Sequence, residues 1–436
     1  MQVSVETTEG LERRMTVTIP AEQIEKEVDS RLKSLTRTVR IKGFRPGKVP
    51  LSVVTKRYGP HVRQEVINEM TQTTFRDAIE EQKIELASRP RIEPRETGAK
   101  AGEDYEYTAV FEVIERFDIA PVKDIKITKP VAEISEQDID NMLENLRKQR
   151  ATWQEVERAA QTDDQLTIDF KGTIEGEDFE GNEGTRVPIV LGSGKFIAGF
   201  EEQLEGAVAG EERTINVTFP EDYHAKDLAG KEAVFEVKVH SVSEPVLPEM
   251  DEKFVRSYDV PDGAIESLRE EIRKSMQDEL DQAIRDNIKE QVMEALLKAN
   301  PVELPQGRVE EQIDLSMSQM RETLQSQGVQ FGDLKLERSM FEEQARKRVA
   351  LGMLTAEIVK QQNMVPAPDV VRAKVESVAA GYDSPESVMN WYYADPQRLG
   401  SIESLVLEDQ VVDWVTENAD VTEEPTTFDE MMKNKR

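Results

Sequence analysis

Residues 41–50 have the sequence Ile-Lys-Gly-Phe-Arg-Pro-Gly-Lys-Val-Pro. Two glycines and two prolines break regular structure there and indicate a turn rather than a helix. Phe44 is therefore expected near the tip of a loop, between Arg45 and Lys48. An aromatic ring between cations suits RNA or a ribonucleoprotein, because the cations neutralise phosphate and the ring stacks or enters an apolar groove. The alternative is that the ring fills a small core of its own domain.

The segments on either side of this loop predict an α+β domain over residues 1–113. Apolar residues recur at helical spacing from 21 to about 39, and a second helix is expected from about 60 to 83, because its first residue is a proline suited to a first turn. Residues 15–20 and 105–114 have strand patterns. The loop is thus expected between two helices of a packed scaffold, a suitable position for a docking element.

Charge is distributed unevenly along the chain. The 436 residues include 56 Lys and Arg against 87 Asp and Glu, so the formal net charge is −31, which taken whole disfavours polyanionic partners. Residues 31–63, however, contain ten basic residues and no acidic one, so the remaining 46 basic and 87 acidic residues carry −41. Solvated surfaces usually mix both signs. We interpret this basic segment as a dedicated anion-binding surface, with a solvated basic loop as the alternative.

The residue types that are missing exclude several kinds of site. The sequence has no Cys and only three His, far apart, so disulfides, thiol nucleophiles and Cys-ligated metals are excluded and a histidine metal site is not expected. A P-loop pattern is absent, in line with nucleotide-independent action. We therefore expect no metal and no cofactor. Residues 1–14 lack the apolar stretch of a secretory signal, and no run of about 18 apolar residues occurs, so a cytoplasmic location is expected.

The remainder of the chain predicts three further segments and a tail. For the whole chain, a ratio of about 150 residues per domain suggests about three domains. Residues 114–160 form a connector, with a helix starting at Ser135. Residues 161–244 contain short β-type runs between Gly-rich turns, with a short helix near 196–207, which indicates a compact β-rich domain. Residues 245–420 are helical, and residues 421–436 are predicted to be a disordered tail.

The helical segment begins with a long helix, expected over 263–299. Its apolar stripe drifts around the helix instead of holding one seam, so a heptad coiled coil is disfavoured and long antiparallel arms are predicted. Further helices are expected at 305–327, 333–363, 369–380 and 397–418. The predicted fold class is a multidomain α+β protein: an α+β N-terminal domain, a β-rich domain and an all-α C-terminal domain with long helical arms.

The loop resembles a known family signature. The string from Gly43 to Pro50 is similar to the Gly-Phe-Arg-x-Gly-Lys-x-Pro motif of bacterial trigger factors, and every fixed position is met. In that family the motif docks the chaperone on the large ribosomal subunit at the peptide exit. The resemblance implies that the ribosome-binding residues are Gly43, Phe44, Arg45, Pro46, Gly47 and Lys48.

Residues 161–244 resemble an FKBP-type prolyl isomerase along their whole length. The matching pieces in family order are Asp169-Phe170-Lys171-Gly172, Phe179, Leu191-Gly192, Ile197-Ala198-Gly199-Phe200-Glu201, Phe219-Pro220-Glu221-Asp222-Tyr223 and Phe235-Glu236-Val237. The resemblance implies a catalytic pocket lined by Phe170, Phe179, Ile197, Phe200, Tyr223 and Phe235. Phe200 is expected at its floor, and the alternative is that these aromatics only form core.

One position departs from the isomerase family. Many members have Asp directly after the residue that matches Phe179, whereas this chain has Glu180, which puts a pocket hydrogen bond in doubt. The chemistry otherwise suits the residue types. Rotation about an X–Pro bond has a barrier of about 18–20 kcal/mol from amide resonance. An apolar pocket weakens the charge-separated resonance form, so neither a nucleophile nor a metal is needed.

Together the two resemblances imply an ATP-independent, ribosome-associated chaperone that isomerises X–Pro bonds and assists folding and export. They also imply that the connector over residues 114–160 packs with the helical body. The expected partners are the large ribosomal subunit at the polypeptide exit, through protein and rRNA, and unfolded nascent polypeptides, with no membrane partner. Whether the free protein forms a weak homodimer stays open. Two alternatives also stay open: a stand-alone FKBP-type prolyl isomerase, and a non-enzymatic folding adaptor without ribosome docking.

Overall fold

The computed structural model describes residues 2–8, 10–42, 44, 48–94, 102–115, 117–179, 181–221, 223, 228–326 and 336–433. The chain divides into two compact units, each built from segments distant in sequence. The first unit comprises Met1–Lys129 and Asp286–Glu423, and the second comprises Pro130–Arg285 and Glu424–Arg436.

Strands and helices both occur in the described residues. In chain order the strands are β1 Gln2–Thr7, β2 Glu12–Ile19, β3 Arg91–Pro94, β4 Tyr105–Glu112, β5 Lys126–Val131, β6 Thr152–Val156, β7 Gln165–Thr173, β8 Glu183–Val190, β9 Glu212–Thr218, β10 Glu232–Val246 and β11 Asp420–Pro425. The helices are α1 Ala21–Thr38, α2 Leu51–Gln82, α3 Glu136–Gln149, α4 Glu252–Arg256, α5 Ile265–Ala299, α6 Gln306–Ser326, α7 Ser339–Gln362, α8 Pro368–Ala379, α9 Pro385–Tyr393, α10 Pro396–Asn418 and α11 Phe428–Lys433.

The N-terminal part of the first unit is an antiparallel sheet packed against α1 and α2. Its strand order is β1-β2-β4-β3. Alternate residues of β2, namely Met15, Val17 and Ile19, are buried, as expected for a strand with one covered face. They form one core cluster with the buried faces of both helices. The sequence prediction of an α+β domain is confirmed here.

Helix α2 begins nine residues earlier than the sequence predicts. It starts at Leu51, after Pro50 in an extended conformation, so that Pro60 lies inside the helix instead of at its first turn. An internal proline removes one backbone hydrogen bond and tends to kink a helix. Val54 and Val62 are buried on either side of it, and we attribute the continuation of the helix to this packing.

The β-rich domain of the second unit is an antiparallel sheet of five strands, β6 to β10. The long strand β10 pairs with β7, with β9 and, near its end, with β6. The pairing with β7 shifts register between Val239 and Ser241, which marks a bulge. Strand β6 lies within the segment that the sequence assigned to the connector, so the sheet starts earlier than residue 161.

A helical layer completes the second unit. Ser135 caps the start of α3, as predicted: the Asp138 N–H donates to Ser135 Oγ (3.3 Å) and the Ser135 N–H donates to Asp138 Oδ2 (2.8 Å), a capping box. The prediction of a disordered tail over residues 421–436 is wrong for the part that the structure describes, because β11 extends to Pro425 and α11 spans Phe428–Lys433. Phe428 and Met431 are buried in a cluster with α3 and α5. Short segments of this kind gain order from packing rather than from a repeating pattern of their own.

The drift of the apolar stripe along α5 has a structural reason. Leu268 and Met276, in its first half, belong to a core cluster of the second unit, whereas Val292 and Leu296 belong to a core cluster of the first unit. The two halves of α5 thus contribute to two different cores, so its apolar residues need not lie along one line of the helix. Helices α5, α6, α8 and α10 agree with the predicted ranges to within two residues, whereas α7 begins at Ser339, later than predicted, and α4 and α9 were not predicted. Within the described part of the chain, none of the helices combines the length and apolar character of a bilayer span.

Candidate functional site

A cavity of about 860 Å³ opens in the β-rich domain. Its walls are mostly apolar and aromatic. It brings together all six residues that the sequence analysis predicted for the pocket: Phe170, Phe179, Ile197, Phe200, Tyr223 and Phe235.

Two strands and one turn position the central rings. Phe170 lies on β7 and Phe235 lies on the neighbouring β10, and their centroids are 6.0 Å apart. Phe200 follows a turn in which Gly199 has φ +86°, a conformation that favours glycine. Its ring contacts Phe235 edge to face at 5.3 Å, and only 2% of the residue is exposed. Phe200 therefore forms the floor of the cavity, as expected.

Two glycines make room for these rings. A Cβ atom at Gly172 would lie 2.4 Å from the Phe235 ring, and one at Gly184 would lie 2.6 Å from the Phe170 ring. Both distances are shorter than van der Waals contact. Strands β7 and β8, which carry these glycines, thus approach the aromatic rings closely because they lack side chains at these positions.

The rim includes residues that sequence reasoning did not assign to the site. Phe196 stacks on Phe200 at 5.4 Å, and Phe219 lies 5.9 Å from Phe179 and 4.8 Å from Tyr223. The sequence did offer a signal for both residues. Phe196 directly precedes Ile197, and Phe219 begins the family piece that ends at Tyr223. The full set of unassigned lining residues is Gly181, Lys195, Phe196, Ala198, Phe219, Pro220 and Leu228. Glu180, the predicted departure from the isomerase pattern, lies outside the described residues.

A buried carboxylate supports the turn beside the cavity. Glu201 is 6% exposed, and hydrogen-bond donors from residues 193–196 surround its carboxylate. Burial acts to raise the pKa of Glu201, but hydrogen bonds from the backbone N–H groups of Gly194 and Phe196 and from the Ser193 hydroxyl outweigh it. The pKa is therefore lower than that of an ordinary glutamate, and the group is ionised at neutral pH.

The basic loop lies in the first unit. Phe44 is 40% exposed and its N–H donates to the Ile41 carbonyl (3.1 Å), so the ring does not fill a core of its own domain. Ile41 and Val49, on either side of the loop, are buried and fix its two ends. Lys48 is exposed. The other predicted docking residues, Gly43, Arg45, Pro46 and Gly47, lie outside the described residues.

The basic segment combines structural and exposed cations. Arg31 pairs with Glu69, and Arg63 pairs with Glu25 at 2.6 Å, so these two arginines join α1 to α2. The exposed cations of the described segment are Lys33, Arg37, Arg40, Lys42, Lys48, Lys56 and Arg57. They surround Phe44 in sequence and offer positive charge to an anionic surface.

Comparison with protein family models matches three segments of the chain. Residues 1–146 match the model of the bacterial trigger factor protein, and residues 264–417 match the model of its C-terminus. Residues 156–240 match the FKBP-type peptidyl-prolyl cis-trans isomerase. This last match begins at residue 156, the last residue of β6, so four residues of that strand precede it.

Similar proteins extend over the full chain. The trigger factor of Pseudomonas putida KT2440 is 46% identical over 99% of this chain and 98% of its own length. The trigger factor of Thioalkalivibrio sulfidiphilus is 45% identical over 100% of this chain and 99% of its own. One solved structure is described as "Promiscuous Substrate Recognition in Folding and Assembly Activities of the Trigger Factor Chaperone". Its match has a TM-score of 0.51 at 17% identity and covers 96% of this chain and 99% of that chain. This likeness supports the fold.

Pocket, loop and domain order thus agree with one family. The aromatic cavity lies in the segment that matches the isomerase model, and the basic loop lies in the segment that matches the N-terminal model. The chain belongs to the trigger factor family and is a chaperone with an FKBP-type peptidyl-prolyl isomerase domain.

Proposed function

We propose that this chain works in the cytoplasm as an ATP-independent chaperone docked at the polypeptide exit of the large ribosomal subunit. Binding of ribosomes and nascent chains is typical of trigger factors. The observation that carries the proposal for this chain is the exposed ring of Phe44 within a segment of ten cations, in a molecule whose remaining residues carry −41.

The charge distribution supports docking in one orientation. The acidic remainder of the chain is repelled by RNA, whereas the basic segment is attracted to it. Both ends of the loop are tied to the domain core through Ile41 and Val49. The ring of Phe44 and the charges of Arg45 and Lys48 then contact ribosomal protein and rRNA, the ring by apolar contact and the cations by pairing with acidic side chains or phosphate.

We also propose that the aromatic cavity is the isomerase site. An X–Pro segment would enter the cavity with its proline ring against Phe200 and Phe235, and the walls would exclude water from the prolyl amide. Exclusion of water disfavours the charge-separated resonance form of the amide and so lowers the barrier to its rotation. In this proposal Phe170, Phe179 and Ile197 complete the apolar wall, and Tyr223 supplies a polar tip at the rim.

Co-sedimentation with ribosomes tests the docking proposal. The triple variant Phe44→Ala, Arg45→Ala, Lys48→Ala is expected to bind about ten-fold more weakly than the parent, because it loses two phosphate-pairing cations and an apolar contact. Its affinity should also fall less steeply with rising salt. Sedimentation of the ribosome-free protein over a concentration series also tests whether it forms a weak homodimer.

A matched control removes the same residue types elsewhere. Arg372→Ala, Lys298→Ala and Tyr382→Ala together delete two cations and one exposed ring outside the basic segment. This control should bind ribosomes like the parent. If the loop variant co-sediments as well as the control, the docking proposal is wrong and a stand-alone isomerase or adaptor is the better description.

A further inference from the structure

The buried carboxylate of Glu201 is tied to one short loop. Oε1 accepts three hydrogen bonds, from Ser193 Oγ (3.0 Å), the Lys195 N–H (3.1 Å) and the Phe196 N–H (3.2 Å). Oε2 accepts a fourth from the Gly194 N–H (3.1 Å). Four donors from consecutive residues 193–196 thus converge on one side chain.

This loop leads directly into the wall of the isomerase pocket. Lys195, Phe196 and Ile197 all line the cavity. Phe196 stacks on Phe200 with 19° between the ring planes, and Phe200 immediately precedes Glu201 in the chain. Glu201 is therefore next to the floor residue Phe200 in the chain, and its carboxylate binds the loop that forms part of the pocket wall. Gly194 has φ +66°, so a conformation that most residues disfavour occurs within the held segment.

We infer that Glu201 is a positioning residue for the isomerase reaction, because its carboxylate holds residues 193–196 in the conformation that completes the substrate-binding wall. The inference rests on the proposed assignment of the cavity as the isomerase site. Glu201 itself is buried behind the loop and need not touch the substrate. Its ionised state supports this role, since a carboxylate offers only acceptors to the four donors.

The variant Glu201→Gln keeps the size of the side chain and changes its hydrogen bonding. One carboxylate oxygen becomes an NH2 group, which cannot accept and which faces N–H or O–H donors of the loop. The loop then samples several conformations, and only a fraction of molecules has a complete wall. Apparent substrate affinity falls in proportion to that fraction, whereas the rate at saturation is retained. Irreversible unfolding would act differently, because it lowers the concentration of active enzyme and hence the apparent kcat at an unchanged KM.

The experiment measures KM and kcat of the full-length protein in proline-limited refolding of an unfolded protein substrate. Glu202→Gln is the matched control, since Glu202 is adjacent and exposed. We expect Glu201→Gln to raise KM about ten-fold over the control, as loss of charge-assisted hydrogen bonds implies, with kcat within two-fold. Hydrogen exchange of residues 193–197 should be faster in Glu201→Gln than in the control. An unchanged KM, or a loss confined to kcat, overturns the inference.

A second variant covers the case in which Glu201→Gln does not fold. Ser193→Ala removes one of the four donors from an exposed position and leaves the carboxylate in place. A rise in KM of about three-fold is expected from one such hydrogen bond, and a KM equal to that of Glu202→Gln overturns the inference. Failure of the pocket assignment is recognised separately: Phe200→Leu would then isomerise as fast as the parent.

Discussion

The rings of Phe200 and Phe235 meet edge to face, with 5.3 Å between their centroids and 85° between their planes. Phe235 belongs to β10, and Phe200 belongs to the turn that precedes a 3₁₀ helix at Glu202–Leu204. The contact joins two parts of the chain that are distant in sequence and forms the floor of the aromatic cavity. Edge-to-face pairs of this kind contribute about 0.5–1.5 kcal/mol beyond their buried area.

The first prediction concerns this floor. Phe200→Leu keeps an apolar side chain but loses the ring contacts to Phe196, Phe170 and Phe235. We expect kcat/KM for proline-limited refolding to fall about ten-fold, the equivalent of one or two aromatic contacts. The control is Phe254→Leu, which changes another buried phenylalanine in a different core cluster. Equal activity of the two variants would contradict the pocket assignment.

The second prediction concerns the space left by a glycine. In Gly172→Ala the new methyl group would lie 2.4 Å from the Phe235 ring, which lines the cavity and would have to shift. Overpacking of this kind costs about 1–3 kcal/mol. The variant should therefore be less stable in urea and less active on proline-limited refolding. Gly352→Ala, where a Cβ meets nothing within 4 Å on α7, is the control and should be neutral or stabilising.

The third prediction concerns acid stability. Asp164 is 2% exposed and accepts from Arg158 Nη2 (2.9 Å) and the Gln161 N–H (2.8 Å). Burial acts to raise the pKa of Asp164, but the hydrogen bonds from Arg158 and Gln161 outweigh it and the pKa lies below its ordinary value. A depressed pKa contributes stability that is present above the unfolded pKa of about 4 and is lost as pH falls through the folded value.

Asp164→Asn should therefore destabilise the β-rich domain by about 2 kcal/mol at pH 7, as expected for loss of hydrogen bonds to a buried charged group. The difference from the parent should shrink as pH falls below about 4, because the parent then loses the same contribution. Urea unfolding at a series of pH values measures both effects. Asp163→Asn alters an adjacent exposed carboxylate and serves as control. A difference that does not change with pH would show that ionisation of Asp164 is not the cause.

Local patterns in the sequence were enough to predict much of the fold. Helix α1 was expected over 21–39 and is found at Ala21–Thr38, and the capping box at Ser135 marked the start of α3. These elements have their own periodicity or cap. Strand β6 and the C-terminal β11 have neither, because their order depends on pairing with strands elsewhere in the chain. The start of α2 was missed since Pro60 resembles a first-turn proline and only tertiary packing carries the helix past it.

The site was predictable in part. The six pocket residues followed from the resemblance to a known isomerase, and the structure brings them together around one cavity. Phe196 and Phe219 were missed because only their positions beside or within the matching family pieces distinguished them, and an aromatic residue in a strand-rich sequence otherwise resembles core until the fold is known. Glu201 was missed because its sequence context indicates an exposed residue. A Glu-Glu pair is typical of surface, and only the structure reveals that one of the two carboxylates is buried under four hydrogen-bond donors.

The central claim, that the basic loop docks this chaperone at the ribosomal exit, is tested most directly by crosslinking on translating ribosomes. An aromatic photo-crosslinking amino acid at position 44 keeps a ring in place of Phe44, and the same probe at the exposed position 382 serves as control. We predict adducts between position 44 and components of the large subunit at the polypeptide exit, and few from position 382. Equal adducts from both positions, or none to the large subunit from position 44, would contradict the account.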